Sequence, residues 1–179
     1  VLVGRICGVW HCWPYVWTPQ ATIHDRAKRD RAPYDVWHTQ GLLRTTPGAS
    51  VDYEHVAAEL AQICDGLNVQ GIAFDRWRMD VMNKELTAVG FDVPLLPWGQ
   101  GFKDMSPAIE RFAELALSGK LRHGSNPVLN AAVAGAITVT DPAGNIKVDK
   151  EKSNSRGPVR IDPLVALVMA IGTAARFVE

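Results

Sequence analysis

Two acids fall where an α/β chain can do chemistry. Asp75 closes the apolar run 69–75, VQGIAFD, and Asp162 opens the most apolar stretch of the chain, 163–175. The first run reads as a short buried strand with the acid at its carboxyl end, where ligand and catalytic groups gather in open α/β sheets. The second reads as a buried helix. Carboxylates on two such elements, if they meet, offer oxygen donors to a hard divalent cation. Two such ions roughly 4 Å apart activate water and stabilise the leaving oxygen in phosphodiester hydrolysis. Each acid also has a plainer use. Asp162 before Pro163 has the residue order of a helix N-cap, and Asp75 stands where it could cap the helix that follows.

A basic segment adds to the pattern. Lys147, Lys150, Lys152, Arg156 and Arg160 outnumber Asp149 and Glu151, a net local charge of +3. A flexible basic loop beside an acidic metal site suits a DNA backbone. A solvated loop is the plainer alternative. Other chemistries lack a motif: the chain has no GxxxxGK[ST] phosphate loop, no GxSxG elbow and no HExxH. Cys7, His11 and Cys12 have no second ligand pair at zinc-finger spacing, so they read as groups on the faces of a strand. The odd cysteine, Cys64, argues against a complete disulfide framework.

The elements that must position these residues follow from periodicity and punctuation. Residues 1–17 are rich in Val, Ile and Trp and read as a strand hairpin, with Trp10, Trp13, Trp17 and Trp37 as strand and edge aromatics rather than base-stacking groups. A short polar helix is expected over 22–31. Asp52 is placed to cap a helix over 53–67, where Val56, Leu60, Ile63, Cys64 and Leu67 recur at helical spacing. A second helix is expected over 76–89 and a strand over 91–97. Ser106-Pro107 reads as the opening of a helix to residue 117, and Asn126-Pro127 as the opening of another to residue 134. Asp141-Pro142-Ala143-Gly144 turns a hairpin between 137–140 and 145–148, and 149–157 reads as charged and flexible. Alternating strands and helices in the middle argue for an α/β domain with parallel pairing there, and the terminal hairpins for a mixed sheet.

At 179 residues, 47% apolar and 21% charged, the chain fits one domain with a hydrophobic core. Its formal net charge is zero, so any binding of nucleic acid must rest on local arrangement. The apolar stretch 163–175 is shorter than the roughly 20 residues a membrane span needs. No signal peptide is visible, and Val1-Leu2-Val3 reads like the middle of a strand, as in a fragment of a longer protein.

Five stretches in register carry a resemblance: PYDVWHTQGLLRTTPGASVDY (33–53), IAFDRW (72–77), LSGKLRHGSNPVLNAAVAGA (117–136), DPAGNIKVDKEKS (141–153) and RIDPLVALVMAIG (160–172). Together they resemble the nuclease domain of tailed-phage terminase large subunits, in the HK97-like group. The resemblance implies an RNase H-like fold, a mixed central sheet flanked by helices, over residues 1–179. It implies a divalent-metal-dependent endonuclease, using Mg2+ or Mn2+, that cuts concatemeric phage DNA during genome packaging. Members hold two ions with three acids, from the opening strand, from the strand that ends in an acid, and from the final helix. The second matches Asp75 and the third Asp162. The first lies in a DLS-like motif just upstream of a strand similar to residues 1–6, so the first catalytic strand is expected to be missing. His123, in RHGSNP, falls in a family-like stretch and stands either near DNA and the metals or as a tie between its loop and the next helix. Implied partners are double-stranded DNA, an N-terminal ATPase domain, the small terminase subunit and the portal, in the host cytoplasm with no membrane. Two rivals stay open: a non-catalytic module docking DNA or portal, and a resolvase or transposase on the same fold.

Overall fold

The structure is a computed structural model that describes residues 1–75, 79–156 and 159–177. Its first strands, β1 (Leu2–Ile6) and β2 (Val9–Trp13), form the expected antiparallel hairpin, with Leu2 opposite Trp13. The short strands β3 (Trp17–Pro19) and β4 (Arg44–Thr46) pair in parallel around two small helices, α1 (Ile23–Arg29) and α2 (Tyr34–Thr39). Helix α3 (Tyr53–Ile63) leads to β5 (Ile72–Asp75), and α4 (Met79–Ala88) joins it to β6 (Leu95–Trp98), its parallel neighbour. Then follow α5 (Phe102–Leu117), β7 (Leu121–Arg122) in parallel with β2, and α6 (Pro127–Ala134). The hairpin β8 (Thr138–Thr140) and β9 (Ile146–Val148), then α7 (Lys150–Arg156) and α8 (Asp162–Ala174), complete the chain.

Helix α8 is the pillar of the fold. Val165, Val168 and Met169 pack with Trp98, Met105, Ala108 and Ile109, while Leu167 and Ile171 pack with Trp10, Cys12, Leu115 and Leu129. Full burial of each such aliphatic side chain contributes roughly 1.5–3 kcal/mol. Because apolar residues lie all round it, the helix can touch both β1 and β5. Parallel and antiparallel pairs mix as expected. Among the described residues, however, the ladder is broken into separate pieces, β1–β2–β7 and β5–β6.

Several boundaries differ from the sequence reading. The helix expected over 53–67 stops at Ile63; Leu67 lies beyond it, half exposed. The expected strands 69–75 and 91–97 shrink to β5 and β6. Of the helix expected over 76–89, residues 76–78 lie outside the described residues. Trp37 sits in α2 and is buried, so it is a core ring and not a strand-edge one.

Helix α5 begins four residues before Ser106, capped by Gly101. Ser106 is buried inside it, and its hydroxyl donates to Glu110 and accepts from the Ile146 N–H, fastening β9 to α5. The segment expected to be flexible, 149–157, contains α7. Asp149 Oδ1 accepts from the Lys152 N–H, and the fully buried Ser153 hydroxyl accepts from Ile137 N–H and donates to the Asp149 carbonyl. A capping acid and a buried hydroxyl therefore order a polar stretch that lacks an apolar stripe.

Candidate functional site

Asp75 ends β5 opposite Trp98 in the parallel register. It is half-buried, and Gln100 Nε2 donates to its Oδ2 at 2.6 Å. Gln100 lies between Gly99 and Gly101, in the loop that turns from β6 into α5. Close approach explains the first glycine: any Cβ there would collide with the Asp104 carboxylate. Trp98 anchors the same strand end. It is buried against Gly172 of α8, where a Cβ would stand only 2.5 Å from the indole Cη2 and 2.7 Å from Ala108 Cβ. The glycine in α8 is thus a notch for the strand partner of Asp75.

Asp162 is exposed in the first turn of α8, where the positive end of the helix dipole favours a carboxylate. It does not cap the helix; Ile161 holds the cap position and no side chain bonds there. Its contact is with Lys150 Nζ, 3.5 Å from Oδ1. Since α8 packs against β5, the elements bearing the two acids are neighbours, although each carboxylate has its own partner. Among the described residues no three His, Cys, Asp or Glu side chains converge as metal ligands.

Lys147, Lys150 and Arg160 of the basic stretch have specific side-chain partners. Lys147, on β9, lies with Nζ 5.0 Å from the centre of the Phe102 ring, two residues beyond Gln100. Lys150 engages Asp162, and Arg160 Nε lies 3.7 Å from Asp30 of α1's C-terminal cap. Lys152 is exposed on α7; Arg156 closes that helix, and its side chain lies outside the described residues. His123 is half-buried in the loop after β7 and lines a groove of about 630 Å3 that neither Asp75 nor Asp162 lines. Its loop is tied to α6 by Asn126, whose side chain accepts from the Val128 and Leu129 N–H groups.

His11 and Cys12 lie on the two faces of β2 as read, but Cys7 does not: it is exposed in the β1–β2 turn. Burial pushes the Cys12 thiol up to about 11. A cleft of about 510 Å3 is lined by Arg5 of β1, Trp10 of β2, Trp98 of β6, Lys103 and Asp104 of α5, and Arg176. It lies between the two strand groups, whose β1 and β5 edges are unpaired among the described residues. The buried Trp98 indole N–H also has no acceptor among them. Sequence reasoning missed Gln100, the Trp98–Gly172 notch and this cleft. The Gly-Gln-Gly run directly after a strand was the available signal.

A family model described as terminase large subunit, endonuclease domain, matches residues 10–177. The chain belongs to that family. It is 50% identical over 167 residues to the terminase large subunit of Enterobacteria phage HK97, covering 93% of this chain and 32% of that protein. Protein YmfN of Escherichia coli K12 is 26% identical over 169 residues, 90% of this chain and 35% of its own length. The chain thus spans about a third of the curated relatives it matches. The crystal structure of the HK97 large terminase superposes with a TM-score of 0.87 at 49% identity, over 96% of this chain and 35% of that one. The large terminase nuclease of thermophilic phage G20c, in a structure with bound magnesium, gives a TM-score of 0.52 at 17% identity, over 69% and 62% of the two chains. That likeness speaks to the fold alone, and the mixed RNase H-like α/β class expected for a terminase nuclease is the one found.

Proposed function

We propose that this chain is the nuclease domain of a terminase large subunit, and that Asp75 and Asp162 hold divalent cations, Mg2+ or Mn2+, in a site that cleaves double-stranded phage DNA during packaging. The observation that supports the reading is the packing of α8 on β5, which makes neighbours of the two elements that carry an acid at a strand's carboxyl end and an acid at a helix start. Carboxylate oxygens are the donors that hard divalent cations take. The G20c nuclease was crystallised with cobalt and with magnesium. When bound, such ions supply Lewis-acid activation of water and of the leaving oxygen. Gln100 orients Asp75 by holding one of its oxygens. Lys150 neutralises Asp162 and would yield it to a cation. Lys147, Lys152, Arg156 and Arg160 lie within one stretch of sequence before Asp162 and, on this reading, serve as backbone-phosphate contacts.

The third ligand, on this reading, comes from a further strand paired to the β1 or β5 edge, beside the cleft that Arg5 and Trp98 line. Arg5, Lys103 and Arg176 line it and favour an acid, and the Trp98 N–H offers a donor. In the longer protein an ATPase domain, the small subunit and the portal would be the partners, with the host cytoplasm as the setting. The alternative, a non-catalytic DNA or portal docking module, draws on the absence of three converging metal ligands among the described residues. Plasmid cleavage with Mg2+ or Mn2+ by the chain lengthened with such a strand decides between them. The nuclease reading expects nicking and linearisation that fall more than about 100-fold in Asp75→Asn and in Asp162→Asn. Equal cleavage by these variants refutes the assignment, and DNA binding with no cleavage and no cation uptake favours docking.

A further inference from the structure

The alternation of β2 sends Trp10 and Cys12 into the core and leaves His11 and Trp13 on the opposite face. An outward strand face is normally polar. Here it carries rings: His11 and Trp13 stack with centroids 5.7 Å apart and planes 16° from parallel. Gly4 of β1 adds no side chain to that face, so the Trp13 ring lies over it. In the parallel pairing with β7, His11 stands beside Arg122. Beyond the strand end, Tyr15 carries the Arg44 guanidinium 5.3 Å from its ring centre.

These groups line the groove that also holds His123. Trp13 is 38% exposed, and Arg122 is exposed, with one guanidinium nitrogen donating to the Gly119 carbonyl. Among the described residues no carboxylate lines the groove. Glu59 lies outside its lining and bonds Trp17 and Arg44, which fixes the Arg44 stack in place. Burial pushes the Glu59 carboxyl up, and the donors Trp17 and Arg44 outweigh it and hold it below the usual range.

We propose that this groove binds a single strand of DNA, with bases stacked on Trp13 and Tyr15 and phosphates met by Arg122 and Arg44. The exposed Trp13 ring and the half-buried Tyr15 ring, beside guanidinium groups, suit unpaired bases, whose faces a duplex hides. The choice of DNA over RNA rests on the cleavage reading; binding at the groove does not require the acids or a cation.

Fluorescence anisotropy with a labelled oligothymidine and a duplex of equal length, in EDTA, separates the two readings. The single strand is expected to bind more tightly than the duplex. Trp13→Ala weakens it at least about fivefold, and Trp13→Phe restores most of the loss. Arg122→Gln, an exposed change that leaves the fold intact, makes the dependence of log affinity on log salt shallower by about 0.7. Asp75→Asn binds the strand like the parent. Duplex preference, or unchanged single-strand affinity in both Trp13→Ala and Arg122→Gln, overturns the proposal whatever the cleavage assay gives.

Discussion

The surroundings of Asp75 and Asp162 and the outer face of β2 are built in opposite ways. The two acids sit on packed elements, yet each is held by a separate polar partner. On β2 the rings of His11 and Trp13 are already stacked, and beyond its end Arg44, pinned by Glu59, lies over Tyr15. On the proposed reading, two carboxylates that are to share a cation repel one another without it, which favours a separate partner for each. Rings and arginines attract one another and can be assembled in advance.

The contrast breaks most readily at Gly172. A methyl there meets the Trp98 ring and Ala108, neither of which can swing aside, so Gly172→Ala should cost roughly 1–3 kcal/mol from overpacking. The gain in helix propensity, about 1 kcal/mol, offsets part of it. Urea denaturation should show a lowered midpoint. At temperatures where the variant stays folded, single-strand binding should persist while cation affinity falls, because Trp98 is the strand partner of Asp75. Equal loss at both places would mean that the two regions are one coupled unit.

A smaller effect is expected at Gln100. Removing its amide in Gln100→Ala frees Asp75 to rotate, and cation affinity in the strand-lengthened chain should drop by about 10-fold, read by calorimetry with Mn2+. Unchanged affinity would make the Gln100 bond incidental.

The smallest concerns Asp30, whose carboxyl the Arg29 guanidinium holds below its ordinary value, with Tyr34 and Arg160 assisting. Because the folded value lies below the unfolded one, near 3.9, the ionised group stabilises the fold fully above about pH 4. That contribution disappears as pH falls through the folded value. Acid unfolding followed by circular dichroism should therefore be less steep below pH 4 in Asp30→Asn; an identical profile would show that the pairing adds nothing.

Much of this arrangement was legible in the residues. The 163–175 run announced α8, Asn126-Pro127 announced α6, and the AFD ending placed Asp75 at a strand's carboxyl end. What misled was local chemistry with two uses. Ser106-Pro107 has the order of a helix start, but Ser106 instead fastens β9 from inside α5. Asp162-Pro163 also has that order, yet the acid lies within the first turn and faces Lys150. The groove was hidden because aromatic residues in a strand run read as strand formers. Only the register, with His11 and Trp13 outward beside Arg122, reveals which face they occupy. The pairing of Asp75 with Gln100 spans 25 residues and leaves no periodic trace.

Calorimetric titration of Mn2+ into the strand-lengthened chain, and into its Asp75→Asn and Asp162→Asn forms, is the most direct test of the central claim that these two acids hold one cation centre. The account predicts saturable uptake by the parent and loss of that uptake in both single variants. Uptake retained in either variant, or none in the parent, would contradict it.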